Sequence, residues 1–155
     1  CFLGSLAWWQ GVDILVRAVA ILKNKFPELR DKIKLEIIGD GQQRALIERL
    51  CQALRINCEI TGYLPHEGAL KRLSGCEVLV LPRRRSNTTE AVIPLKVIEA
   101  WALGVPVVVT RHQVFEYHGL KNMEDLVYCE PTPESVADTI GKVLFSEEIS
   151  IKLSK

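Results

Sequence analysis

Unbroken apolar runs alternate along this chain with stretches whose apolar residues recur at helical spacing. Phe2 to Gly4 reads as a first strand, and Val12, Leu15, Val16, Val19, Leu22 and Phe26 follow on one helical stripe. Ile33 to Ile38 is too continuous for a strand with one face in water. A second helix carries Ile47, Leu50, Cys51 and Leu54. A short strand at 58–61 follows, then a short helix over about 65–73 and the apolar strand Val78 to Leu81, which ends at Pro82. Beyond it the pattern predicts a helix from Pro94 to Leu103 stopped by Gly104, a buried strand from Pro106 to Val109, and a short strand at Leu126 to Tyr128. Val136, Ala137, Ile140, Val143 and Leu144 mark one more helix, with a further helical segment expected from Glu147 to the end.

Buried strands separated by helices require a parallel sheet covered on both faces, so the predicted fold is α/β, a doubly wound, Rossmann-like parallel sheet. No repeat, linker or low-complexity stretch interrupts it, and residues 1–155 are expected to form one domain. Ligands of such sheets bind outside the carboxyl ends of the strands. That rule selects the loops at 5–11, 39–42, 62–66 and 82–94.

Composition narrows the partners. Twenty basic and nineteen acidic side chains leave a formal charge of +1, so no global field favours nucleic acid or an anionic membrane, and any anion site must be local. No apolar run approaches the ~20 residues of a spanning helix, and Cys1 to Ser5 lack a basic leader and a cleavage signature. The chain opens without Met directly into a strand, which predicts a piece of a longer protein. Five cysteines with no C-x-x-C pair, most of them in apolar stretches, predict buried thiols in a reducing compartment and not a disulfide or zinc framework.

The chemistry concentrates between Glu90 and Pro106. Pro94 suits the first position of a helix, which leaves the amides of Leu95, Lys96 and Val97 pointing out of it. Those amides, the helix dipole and the Lys96 ammonium together favour a phosphate. Glu99 lies five residues further, roughly 7.5 Å along the axis at ~1.5 Å per residue, a distance comparable to that from a diphosphate to its ribose. A plain surface glutamate is the alternative, but Glu99 sits among Leu95, Val97, Ile98, Ala100, Trp101 and Leu103, where an unpaired carboxylate is costly.

Other features are open to two readings. Arg83-Arg84-Arg85 at the end of a strand is a diphosphate contact or a solvated basic loop. Gly39-Asp40-Gly41 starts like a dinucleotide fingerprint, but Arg44 stands where the third glycine belongs, and tight-turn chemistry alone explains the pair. His66, His112 and His118 share no metal-ligand spacing, so no metal site is expected. Ser86, Thr88 and Thr89 lack a recognisable histidine partner and are assigned to the loop. Trp8-Trp9 is a packed or interdomain surface, or a sugar platform.

Taken in order, several segments resemble one family. They are Phe2-Leu3-Gly4-Ser5 with Gln10 to Leu15 and Ala18, Glu36 to Gly41 with Arg44 and Leu46, and Ile60-Thr61-Gly62-Tyr63. The most specific is Pro94-Leu95-Lys96 through Glu99 to Val108, followed by Thr110, Glu116, Pro131, Glu134 and Ala137. Together they resemble the C-terminal, donor-binding half of a GT-B retaining glycosyltransferase of family 4, in a branch with a Pro-Leu-Lys motif. The resemblance implies a nucleotide-diphosphate sugar as donor, no required cofactor or metal, and a cytoplasmic enzyme whose acceptor is bound by an N-terminal domain absent here. Any membrane contact would be made through that absent domain, and this piece would bind without turning over. By the same resemblance Glu99 would hold the ribose, Glu90 the hydroxyls of the transferred sugar, Pro94, Leu95 and Lys96 the diphosphate, and Gly62, Tyr63 and Leu64 would flank the base.

Two departures from the family shape the expectation. Its first loop usually carries Arg and Lys as diphosphate partners, where this chain has Ser5 and Gln10, so Lys96 with Arg83 or Arg84 is expected to supply the charge. Its glutamate pair is usually eight residues apart, and Glu90 and Glu99 are nine apart. A non-catalytic module that has lost donor binding, and another nucleotide-using Rossmann-type enzyme, are the competing readings.

Overall fold

The structure is a computed structural model that describes residues 1–145. Six short strands alternate with helices: β1 (Phe2–Leu3), α1 (Val12–Lys25), β2 (Leu35–Ile38), α2 (Arg44–Ala53), β3 (Cys58–Ile60), α3 (His66–Leu73) and β4 (Leu79–Leu81) come first. They are followed by α4 (Asn87–Ala91), α5 (Leu95–Ala102), β5 (Val107–Thr110), α6 (Gln113–Tyr117), β6 (Val127–Cys129) and α7 (Pro133–Phe145). Single 3-10 turns at Trp8–Gln10 and Pro27–Leu29 complete the described residues. The helical segment expected from Glu147 onward lies outside them.

Strands β1, β2 and β3 form one parallel ladder, and β4, β5 and β6 another. Cys1 joins the two, since its nitrogen donates to the Val78 carbonyl at 2.7 Å and its carbonyl accepts from the Val80 amide at 2.8 Å. One residue bonded to the two flanking a third is a parallel step. The sheet therefore runs in the order β3-β2-β1-β4-β5-β6, and the predicted doubly wound fold is observed. Crossovers that travel outward in opposite directions from β1 and β4, given the right-handed rule for parallel strands, put helices on both faces.

The buried strands explain why the sequence showed no alternation. Leu79, Val80, Leu81, Val107, Val108 and Val109 are all essentially inaccessible, because helices cover both sides. On one face α1 packs against α7, where Gly141 brings the backbone of α7 against Leu22 and Phe26. Gly11 performs a similar service at the start of α1: a Cβ there would stand 2.0 Å from the Pro82 carbonyl, so only glycine lets this turn close on the end of β4.

The segment between β4 and α5 departs most from expectation. What reads as loop contains the five-residue helix α4, with a reciprocal cap in which the Thr89 amide donates to Ser86 Oγ and the Ser86 amide to Thr89 Oγ1. Pro94 is not the first helical residue but the cap that precedes Leu95, with extended backbone. Its carbonyl accepts from the Val97 amide at 2.9 Å, so that amide turns inward, and only those of Leu95 and Lys96 precede the first bonded turn.

Candidate functional site

Strand order reverses between β1 and β4, and the crevice outside their carboxyl ends is where an open α/β sheet takes a ligand. Here the backbone is stripped of side chains. Gly4, Gly39 and Gly62 stand in the turns that follow β1, β2 and β3; Gly39 packs on the Gly4 carbonyl, and Gly39 and Gly62 bridge. Lys96 enters this bare edge from α5. A Cβ on Gly4 would lie 2.1 Å from Lys96 Nζ, so the ammonium occupies the room that the missing side chain leaves beside the first loop. The same nitrogen lies 5.5 Å from the centre of the Phe2 ring, a cation over an aromatic face. Burial, with the charge of Arg83 adding and that of Glu99 opposing, brings its pKa down to about 8.

Arg83 and Arg84, adjacent in sequence, are used differently. Arg84 forms a two-pronged pair with Asp13 of α1, at 2.9 and 2.7 Å, donates to the Trp8 carbonyl and lies 5.4 Å from the Trp8 ring centre. The structure thus places this sequence-selected cation against α1 and not at the crevice. Arg83 Nε and Nη1 are buried with no hydrogen-bond partner among the described residues, and burial lowers its pKa. A guanidinium stays charged under such pressure, so the unmet donors are available to an anion.

Glu90 projects from α4 to the start of α6. Its Oε1 lies 2.9 Å from His112 Nδ1, and its Oε2 accepts from the Gln113 amide at 2.7 Å. Burial works against the carboxylate, but the bonds from His112 and Gln113 prevail and hold its pKa below the ordinary value. His112 is 1% exposed. Burial lowers its pKa despite Glu90, so the neutral ring donates through Nδ1 and leaves Nε2 as an acceptor with no partner among the described residues. Sequence reasoning dismissed this histidine for want of metal spacing; its partner is a carboxylate 22 residues away, which no local pattern announces.

The remaining candidates fall around the same edge. Glu99 is largely covered and lies 3.7 Å from His66 at the start of α3. Its charge and that of Arg83 both act on Lys96, and Arg83 acts in turn on His112, so Glu99, Lys96, Arg83, His112 and Glu90 form one electrostatic series. Gly62 is buried, Leu64 is half-buried and Tyr63 is 87% exposed. Ser5, Leu95 and Pro94 are accessible in varying degree, whereas Gln10 is buried with its Oε1 unpartnered among the described residues. No group of three or more His, Cys, Asp or Glu among the described residues is placed to hold a metal, and no described helix is long and apolar enough to cross a membrane.

A cationic crevice at the switch point of a doubly wound sheet is shared by many nucleotide-binding proteins, and comparison with known sequences separates them. The family model for glycosyl transferases group 1 matches residues 1–145. The chain belongs to that family. An uncharacterized glycosyltransferase of Methanocaldococcus jannaschii is 28% identical over 147 residues, which are 92% of this chain and 35% of the relative. The chain thus spans about a third of that relative's length. Among solved structures, a Staphylococcus aureus TarM mutant in complex with fondaparinux, alpha-GlcNAc-glycerol and UDP superposes with a TM-score of 0.82 at 16% identity, over 99% of this chain and 29% of TarM. The C-terminal domain of the group 1 glycosyltransferase LpcC of Francisella tularensis gives 0.80 at 14% identity, over 99% and 78%. At such identities the two structures speak to the fold, which is that of the C-terminal domain of GT-B glycosyltransferases.

Proposed function

We propose that this chain is the donor-nucleotide domain of a retaining, metal-independent glycosyltransferase that transfers a hexose-type sugar from a nucleoside diphosphate. The observation that carries the reading is the position of Lys96 Nζ, set against Gly4 at the β1–β4 switch point. Lys96 and Arg83 supply the charge that Ser5 and Gln10 do not. Binding of the diphosphate satisfies the unmet Arg83 donors, and the stronger negative charge on the leaving diphosphate as the glycosidic bond breaks makes the same contacts tighter in the transition state. The amides of Leu95 and Lys96 add to this at the start of α5.

Glu99 holds the ribose hydroxyls, with Gly62 to Leu64 beside the base. Glu90, kept ionised and oriented by His112 and Gln113, retains lone pairs for hydroxyls of the transferred sugar. The acceptor is bound by a further domain of the full-length protein, a reading supported by the short span of this chain against its relative.

Isothermal titration with UDP, GDP and ADP tests the proposal, UDP being first choice because it is the nucleotide in the TarM complex. Binding by at least one nucleotide is expected, with a loss of tenfold or more in Lys96→Ala. No heat with any of the three at millimolar concentration would leave the degenerate, non-binding module as the better account. A Lys96→Ala affinity equal to wild type, with a large change in Ser5→Arg, would remove the assigned role of Lys96.

A further inference from the structure

Lys96 and Glu99 stand three residues apart on α5 and so share one face of that helix. Lys96 meets the turn after β1 at Gly4, and Glu99 meets the start of α3 at His66, just beyond the turn after β3. Strand β2 lies between β1 and β3, so this face of α5 reaches from one turn to the other across the bare edge of the sheet. The Glu99 side chain is only 17% exposed, yet among the described residues no group donates a hydrogen bond to its carboxylate. Its Oε1 lies 3.7 Å from His66 Nε2, too far for a direct hydrogen bond and close enough for one oxygen atom to stand about 2.8 Å from both. A hydroxyl suits that gap, because its oxygen accepts from Nε2–H while its hydrogen is donated to Oε1. The His66 side chain is 67% exposed, so a ligand reaches it without unpacking the core.

We propose that the gap between Glu99 and His66 takes the 2′-hydroxyl of the nucleotide ribose, and that His66 is the residue by which the domain tells ribonucleotides from 2′-deoxyribonucleotides. On the donor-nucleotide reading above, on which this rests, the diphosphate is at Lys96 and the base is beside Gly62 to Leu64. The ribose then lies along Glu99 with C5′ toward Lys96 and C1′ toward the turn that precedes His66. O2′ is carried by the carbon next to C1′, on the side of the base, and O3′ by the carbon next to C4′, on the side of the phosphates. O2′ therefore falls to His66 and Glu99 Oε1, and O3′ is left to Glu99 Oε2. A carboxylate alone accepts from a hydroxyl in many positions, whereas the added donor fixes where the oxygen sits. The analogue that lacks the hydroxyl leaves both partners unpaired.

Whichever of UDP, GDP and ADP binds the chain is titrated beside its 2′-deoxy counterpart. Wild type is expected to prefer the ribonucleotide by about tenfold. His66→Ala, a change at an exposed position, is expected to lose about fivefold in affinity for the ribonucleotide and less than about twofold for the 2′-deoxy form, so that the preference shrinks to about twofold. His66→Gln, whose side-chain amide donates from near the place of Nε2, should keep the preference. Equal losses for the two nucleotides in His66→Ala, or a preference that this variant leaves undiminished, would overturn the proposal. So would a preference in His66→Gln as small as that in His66→Ala. Wild type that binds a nucleotide with no preference for ribose removes the role of this gap alone, whereas wild type that binds none of the three removes the donor-nucleotide reading and the proposal with it.

Discussion

The Lys96 ammonium stands in space that Gly4 leaves empty: a Cβ on Gly4 would lie 2.1 Å from Nζ, and Gly4 itself has φ of +146°. Gly4→Ala therefore acts twice. The flexible lysine can withdraw, which moves its charge from the first loop, while the backbone strain has no such relief. A fall in UDP affinity of about tenfold is expected, with a loss of about 1–2 kcal/mol of stability. Titration calorimetry and thermal melting read the two effects separately, and unchanged affinity would show that the lysine does not act from beside Gly4.

The same lysine gives the site a pH dependence of known sign. Its pKa is brought down to about 8, so the ammonium is charged at pH 6.5 and mostly neutral at pH 9.5. UDP affinity is expected to fall as pH rises through 8, by about tenfold at pH 9.5 if a single cation is lost. Lys96→Arg, charged throughout, should flatten that profile. Folding responds oppositely: from about pH 8 to the ordinary lysine value the unfolded chain holds the proton and the folded chain has released it, so stability rises with pH across that window. Lys96→Met removes the cost of burying the charge. It is expected to raise stability by about 1 kcal/mol, allowing for partial exposure, and to abolish the pH-dependent part of UDP binding.

Much of this was legible in the sequence because it rests on periodicity. The buried strands, the stop of α5 at Gly104 and the doubly wound order follow from apolar patterning and from where a sheet must be covered. The position of Glu99 needed only the pitch of a helix. Three features were hidden for identifiable reasons. Helix α4 has five residues, too few for a period, and its Ser86–Thr89 cap lacks the Glu or Gln that marks such a box in sequence. Arg83 and Arg84 are chemically identical, and only the approach of Asp13 from α1 separates them. The bond between Glu90 and His112 joins α4 to the residue that precedes α6, 22 positions away in the chain.

That bond predicts a structural penalty. Glu90 satisfies the buried His112 ring and the first amide of α6 at once, so Glu90→Ala leaves a buried donor unmet and should cost about 2 kcal/mol. Glu90→Gln, which keeps an acceptor oxygen, should cost less. Both groups have lowered pKa values, and the sign is common: the unfolded chain takes up protons first, at His112 as pH falls through about 6.5 and at Glu90 near its ordinary value. Wild type is therefore expected to lose stability on acidification from pH 7 to 4, and Glu90→Ala to lose more of it between pH 7 and 5, because the carboxylate that partly offsets the burial of His112 is gone. Denaturant melts across that range check the difference.

The adjacent arginines supply the sharpest contrast. Arg84 is held by Asp13 in a half-buried two-pronged pair, with the Trp8 ring against it, whereas Arg83 has buried donors that no described residue meets. Arg84→Met should remove packing and strand the Asp13 carboxylate, with a loss of about 1–3 kcal/mol and little change in UDP affinity once the chain is folded. Arg83→Met should do the reverse. Deleting unsatisfied donors and a charge held under desolvation leaves stability unchanged or raised, and UDP affinity falls by tenfold or more. Asp13→Asn provides the internal control, since it weakens the Arg84 pair without altering any group at the crevice; its affinity is expected to match wild type. If Arg84→Met lost affinity as Arg83→Met does, the division of labour between the two would be wrong, and the basic run would act as one diffuse charge.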